Sequence, residues 1–164
     1  MRHIISILLQ NEAGALTRVT SLFSSRGYNI ESLSVAPTED PQVSRLTMVT
    51  NGSEAVIDQI IKQLFKLVDV VNIADMTMDE HIERELLLIK VKLNDDANIS
   101  DIVSAAGARV LDSSPANYTV ELTGTGVQID NFMTTLATRS EILAVVRSGS
   151  MAIARGTAVL SVGL

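Results

Sequence analysis

"RHIISILLQNEAGALTRV" (residues 2–19) carries two different periodicities on either side of a glycine. Arg2 to Leu9 is short, β-branched and apolar, the composition of a buried strand. From Leu16 the spacing changes. Leu16, Val19, Leu22 and Phe23 fall at helical intervals, and Gly27 stands where a left-handed C-terminal cap belongs. Between strand and helix lies Asn11-Glu12-Ala13-Gly14, so a glycine sits at the mouth of a helix. A strand, a tight turn and a helix open the chain, and the residues that follow decide the topology.

They decide for a split β-α-β unit. "YNIESLSV" (Tyr28–Val35) and "SRLTMVT" (Ser44–Thr50) read as two strands joined by "APTEDPQ", a loop marked by Pro37, Asp40 and Pro41. Ser53 is placed to cap a second helix with Val56, Ile57, Ile60, Ile61 and Leu64 on one face. "VDVVNIADM" (Val68–Met76) closes as a fourth strand. The order is β-α-β-β-α-β. After the polar stretch "TMDEHIERE" (Thr77–Glu85), read as a linker, the order returns. Leu87, Ile89, Val91 and Leu93 alternate with Lys90 and Lys92; Ile99, Ile102, Val103 and Ala106 form a helix stripe ended by Gly107. "RVLDSS" and "NYTVELT" follow as a strand pair, Ile129, Phe132, Met133 and Leu136 as a helix, and "ILAVVRS" as the last strand. The predicted fold is α+β: two tandem ferredoxin-like βαββαβ domains, at 1–76 and 86–164, with a linker at 77–85 and a short C-terminal tail. Each sheet would carry helices on one face, leaving the other open and a partner expected there.

Composition narrows the chemistry. The 164 residues are 46% hydrophobic but only 3% aromatic, so the core must be Ile, Leu, Val, Ala and Met. A net charge of −6 and the lack of any Lys/Arg cluster argue against a nucleic-acid face. With no cysteine, there is no disulfide framework, zinc-thiolate site or thiol nucleophile. The apolar start breaks at Gln10-Asn11-Glu12, too early for a signal sequence, and a cytoplasmic protein is expected. His3, at a strand start, and His81, in the linker, have no catalytic constellation around them. "GTGVQI" (Gly124–Ile129) is a partial dinucleotide fingerprint with Ile129 where the third glycine belongs, and reads as a tight turn. "DANISD" (Asp96–Asp101) resembles the start of a calcium loop but has Asp101 at the sixth position and Gly107 at the twelfth, so a helix cap in an acidic turn explains it better. No catalytic residue and no metal site is assigned.

What remains is the first loop. Backbone N–H groups at the start of the first helix favour an anion, and Gly14 lets a ligand approach without a Cβ in the way. With no P-loop lysine, a carboxylate fits better than a triphosphate. Asn11 and Asn29 offer donors and acceptors without net charge, and Leu16, Ile30, Leu33 and Val35 suit an apolar side chain. The implied ligand is a small neutral aliphatic amino acid; the plainer alternative is a turn glycine and an asparagine cap.

"NEAGALTRV…FSSRGYNIESLSVAPTEDP…SRLTM", with "QLFKLVDVV", "HIERELLLIKV" and "RSGSMAIARG", closely resembles the regulatory small subunits of acetohydroxyacid synthase, also called acetolactate synthase. The resemblance implies that the N-terminal domain is an ACT domain and that the subunit itself is not catalytic. It implies a homodimer whose ACT sheets join edge to edge. It further implies a large catalytic partner, which carries thiamine diphosphate, Mg2+ and FAD and condenses 2-oxo acids towards valine, leucine and isoleucine. The small subunit would raise that partner's activity and make it sensitive to valine. The family's effector loop maps onto Asn11, Gly14, Ala15 and Leu16. Asn29 and Ile30 come from the neighbouring protomer, and Ala36 lines the pocket. Two stretches depart from the family: the short, acidic segment 94–107 and the uncharged ending "TAVLSVGL". The rival readings are a free-standing ACT-type amino-acid sensor and a small enzyme on a ferredoxin-like scaffold.

Overall fold

The computed structural model describes residues 1–163. They fall into two units, Met1–Ile82 together with the residues from Ser150 on, and Glu83–Gly149. In the first, β1 (Arg2–Gln10), α1 (Ala15–Ser25), β2 (Ile30–Pro37), β3 (Val43–Asn51), α2 (Glu54–Leu64) and β4 (Val70–Asp75) follow the expected order. The sheet order is β2-β3-β1-β4, with all neighbours antiparallel. Because side chains alternate across a strand, the register Ile5↔Met48 and Ile7↔Leu46 puts one apolar row on a single face. Val19 and Phe23 of α1 and Ile57, Ile60 and Leu64 of α2 pack onto that row, all nearly inaccessible to solvent. Gly27 takes the left-handed conformation at the end of α1 with φ of 74°. Glu54 in the first turn of α2 and Lys62 in its last complement the helix dipole.

The second unit repeats the topology. It contains β5 (His81–Leu93), whose first two residues belong to the first unit, then α3 (Ser100–Ala106), β6 (Arg109–Ser113), β7 (Asn117–Gly124), α4 (Gly126–Ala137) and β8 (Ser140–Arg147). The order β6-β7-β5-β8 is that of the first sheet. Leu87, Ile89 and Val91 pair with Leu122, Val120 and Tyr118 on the face that Ile102, Ile129, Phe132 and Leu136 cover. The partial fingerprint at Gly124–Ile129 is a helix start. Thr125 accepts from Gln128 N at 3.3 Å and its own N–H donates to Gln128 Oε1 at 2.9 Å, a reciprocal capping box. In "DANISD", Asn98 Oδ1 accepts from Ser100 N at 2.8 Å, again a local helix-start contact.

Two sequence boundaries move. The stretch 77–85 is not wholly a linker, because β5 begins at His81. Its glutamates suggested solvated coil, yet Glu85 is buried: Arg147 Nε donates to Oε1 at 2.7 Å and Nη2 to Oε2 at 3.0 Å, while Nη1 donates to Asp130 at 2.7 Å. Hydrogen bonding to Glu85 raises the already high pKa of Arg147. The tail, expected within the second domain, belongs to the first unit. Its strand β9 (Met151–Ala154) pairs with β5, and Arg155 N donates to the Glu80 carbonyl at 3.0 Å. Ala152 packs with Ile4, Val49 and Met76, so the chain itself covers part of the first sheet's face opposite the helices. That face was expected to await a partner; its apolar residues Ile4, Val49 and Met76 are instead covered in part by this strand.

Candidate functional site

The first loop is built from both ends. Asn11 follows β1 directly: its N–H donates to the Gln42 carbonyl at 2.7 Å and its side-chain Nδ2 to the Pro41 carbonyl at 2.9 Å. Asn11 therefore fastens the loop to the β2–β3 connection, and its Oδ1 is the atom left for a ligand. Gly14 has φ of 87°, in the left-handed region that side chains resist. Ala15 N donates to the Glu12 carbonyl at 3.3 Å, and Arg18 N starts the helical ladder by donating to the Gly14 carbonyl at 3.0 Å. The N–H groups of Leu16 and Thr17 lie between these, at the open end of the helix, as helix geometry requires. Ala15 is buried, whereas Leu16 is 38% exposed and presents an apolar side chain beside those donors.

Sequence reasoning missed Arg18. Its guanidinium folds back over Gly14, where a Cβ would meet Nη1 at 2.9 Å. It is held there by an ion pair with Asp69, whose side chain is buried and whose backbone carbonyl accepts from Gln10 N at 2.7 Å. The hydrogen bond from Arg18 is the main cause holding the Asp69 carboxyl below its ordinary range, against the opposing effect of burial. The same bond raises the Arg18 pKa. The mouth of α1 therefore combines free N–H donors with a fixed cation, an arrangement suited to a carboxylate. The residues Arg18 and Asp69 are 51 apart in sequence, so only the i+4 spacing of Arg18 from Gly14 hinted at its place.

The remaining predicted residues lie elsewhere. Gln10 pairs with Val43, whereas Ile30 pairs with Thr50, at the far end of the same sheet. That separation is about 20 Å at the usual strand rise. Asn29 is exposed there, its carbonyl accepting from Thr50 Oγ1 at 2.7 Å, and Ile30 packs against the helix-side core. Ala36 is at the near end of β2, but its register with Arg45 and Leu8 puts it on the face away from α1. Thus one protomer brings together Asn11, Gly14, Ala15 and Leu16, and does not bring Asn29 or Ile30 to them. β2 is an edge strand whose outer side is unpaired within the chain, and Val35 on it is 40% exposed.

Two models of known families match this chain. The AHAS small subunit-like ACT domain covers residues 5–72, and the small subunit of acetolactate synthase covers residues 84–156. The acetolactate synthase isozyme 3 small subunit of Salmonella typhimurium is 44% identical over 162 residues, 98% of this chain and 99% of the relative. The chain belongs to the acetolactate synthase small-subunit family. The Escherichia coli isozyme 3 small subunit is 43% identical over the same share of each chain. The crystal structure of the acetolactate synthase small subunit from Thermotoga maritima superposes with a TM-score of 0.86 at 32% identity, covering 96% of this chain and 99% of that one. Residues 5–72 of the first unit are thus the family's ACT domain, and family membership implies a catalytic large-subunit partner.

Other polar features do not converge on a reactive centre. His3, read as a strand-end residue, is buried at 2% exposure with neither ring nitrogen hydrogen-bonded; its Nδ1 lies 3.8 Å from Asp75. His81 opens β5, with Nδ1 2.8 Å from the Asp79 carbonyl. Among the described residues, no group of three or more His, Cys, Asp or Glu is placed to hold a metal ion. Nor is any helix among them long and apolar enough to cross a membrane.

Proposed function

We propose that this chain is a non-catalytic regulatory subunit that activates the thiamine-diphosphate-dependent catalytic subunit of acetolactate synthase and makes it sensitive to valine. The assembly works in the cytoplasm, and thiamine diphosphate, Mg2+ and FAD reside on the catalytic partner. One observation supports the effector site above the rest: the half-site at Gly14 and the residues Asn29 and Ile30 stand at opposite ends of one sheet whose free edge is β2. A two-fold axis joining β2 to its copy antiparallel reverses the ends. It sets the partner's Asn29–Ile30 end beside this protomer's Pro37 end, next to the loop that Asn11 holds.

The ligand carboxylate then lies against the Leu16 and Thr17 N–H groups near Arg18, with its ammonium group facing asparagine oxygens. Leu16 and Ile30 bound the aliphatic side chain. Ala36 contributes at the joined edge rather than beside α1. Binding regulates because an effector that favours one arrangement of the dimer shifts the population of complexes that activate the catalytic chain.

Reconstitution tests this directly. The purified catalytic subunit is assayed alone, with this chain, and with this chain under increasing valine. Activation on addition, followed by valine inhibition absent from the catalytic subunit alone, is the expected result. Failure to bind or activate any thiamine-dependent synthase overturns the reading and leaves a free-standing ACT-type sensor.

A further inference from the structure

On the face of the first sheet opposite the helices, the C-terminal segment borders a partly open cavity of about 280 Å³, away from the mouth of α1. Its walls are Ala74 and Met76 on the sheet side and Ile153, Val159 and Leu160 from the tail, with Arg45 of β3 among them. The uncharged stretch from Ala158 to Leu160 thus supplies one apolar wall.

Arg45 differs from the arginines that pair with a carboxylate. Arg18, Arg109, Arg139 and Arg147 each pair with a carboxylate. Among the described residues, the half-buried Arg45 donates to two neutral acceptors, from Nε to Ser6 Oγ at 2.9 Å and from Nη2 to the Ala152 carbonyl at 3.4 Å. A guanidinium has five N–H donors in a planar fork, so most of its hydrogen-bonding capacity is not taken up by the described residues. Burial lowers its pKa. A half-buried guanidinium with open donors is placed to pair with an anionic ligand.

We propose that this cavity is a binding site for a short aliphatic carboxylate, its carboxylate on the Arg45 fork and its hydrocarbon against Met76, Ile153, Val159 and Leu160. Bidentate pairing with a carboxylate is what the guanidinium geometry favours. The volume lies near the small end of ligand pockets, roughly 300–1,000 Å³, which excludes nucleotides and suits branched acids of about four to six carbons. Asp79 also lines the cavity, so an α-ammonium group has a counter-charge within the site. Because sheet and tail each contribute a wall, an occupant fastens the tail onto the ACT sheet and stabilises that closed arrangement by linkage.

Calorimetry on the full-length chain uses 3-methylbutanoate as the probe and 3-methylbutanamide as its uncharged analogue. The carboxylate binds, and the amide binds at least tenfold more weakly. Arg45→Gln weakens carboxylate binding at least tenfold. Val159→Asp does the same by adding a negative charge at a wall position 78% exposed, where folding is not at risk. Both probes are also run against valine in a Gly14→Asp background, which disables the other site. Valine binding that survives there and is lost with Arg45→Gln identifies amino acids as the occupant; binding of 3-methylbutanoate alone identifies acids without the amino group. Equal binding of acid and amide, carboxylate binding untouched by both variants, or no binding at millimolar probe overturns the proposal.

Discussion

Gly14→Asp separates the two contributions of this glycine to the proposed valine site. At φ of 87° the residue is left-handed, and a side chain there costs roughly 1–2 kcal/mol. The new Cβ would stand 2.9 Å from Arg18 Nη1, the far end of a flexible side chain that can move aside. These effects are common to Gly14→Ala and Gly14→Asp, and each variant should lose about 2–6 °C in Tm. Only aspartate adds charge. Two carboxylates about 4–6 Å apart repel by roughly 3–4 kcal/mol at an effective dielectric of about 20. Halved by solvent exposure, this still exceeds the ~1.4 kcal/mol that makes a factor of ten in affinity. The new carboxylate also competes with Asp69 for Arg18, which weakens the ligand's hold further. In the reconstituted enzyme, Gly14→Asp should need at least tenfold more valine for half-inhibition, whereas Gly14→Ala stays within a few-fold of the parent. Full valine sensitivity in Gly14→Asp refutes the site. Equal resistance in both variants refutes the charge argument and makes the backbone conformation responsible.

Arg147→Met leaves Glu85 buried without its cation and should destabilise the second unit by about 3–5 kcal/mol, read as a lower urea midpoint. The double variant Glu85→Leu with Arg147→Met should recover much of that loss, and a double variant no better than the single contradicts the assignment. The Asp69 carboxyl titrates below its ordinary range because Arg18 donates to it. Its contribution is therefore complete at neutral pH and is lost as pH falls through the depressed folded-state value. Thermal melts of Asp69→Asn and the parent should differ at pH 7 and converge in strong acid; a difference independent of pH would show that the pair does not contribute through charge.

The fold was largely legible because its signals are local. Strict alternation in Leu87–Leu93 and the 3.6-residue stripes at Val19–Phe23 and Ile57–Leu64 specify both element type and buried face. What escaped was long-range. Glu83 and Glu85 disguised the start of β5 as coil, since the Arg147 that neutralises Glu85 lies 62 residues away. Strand β9 is four residues among glycines and serines, too short for a period to register, and its ladder partner is remote. At the candidate site, the strand-turn-helix context marked Gly14 as the glycine that opens α1, but Arg18's placement depends on a carboxylate in another loop. The separation of Asn29 from Gly14 follows from strand register, which only the pairing of β1, β2 and β3 supplies.

The central claim is that each effector site takes one half from each of two protomers, and subunit complementation tests it most directly. Gly14→Asp and Asn29→Ala chains are prepared separately, then unfolded and refolded together, and valine binding is measured by calorimetry. In a mixed dimer, one site receives both substitutions and the other receives neither. The account predicts that valine sites of parental affinity, weakened or lost in each pure variant, return in the mixture at one per mixed dimer. If the mixture binds no better than the average of its two components, each site lies within a single protomer and the account is contradicted.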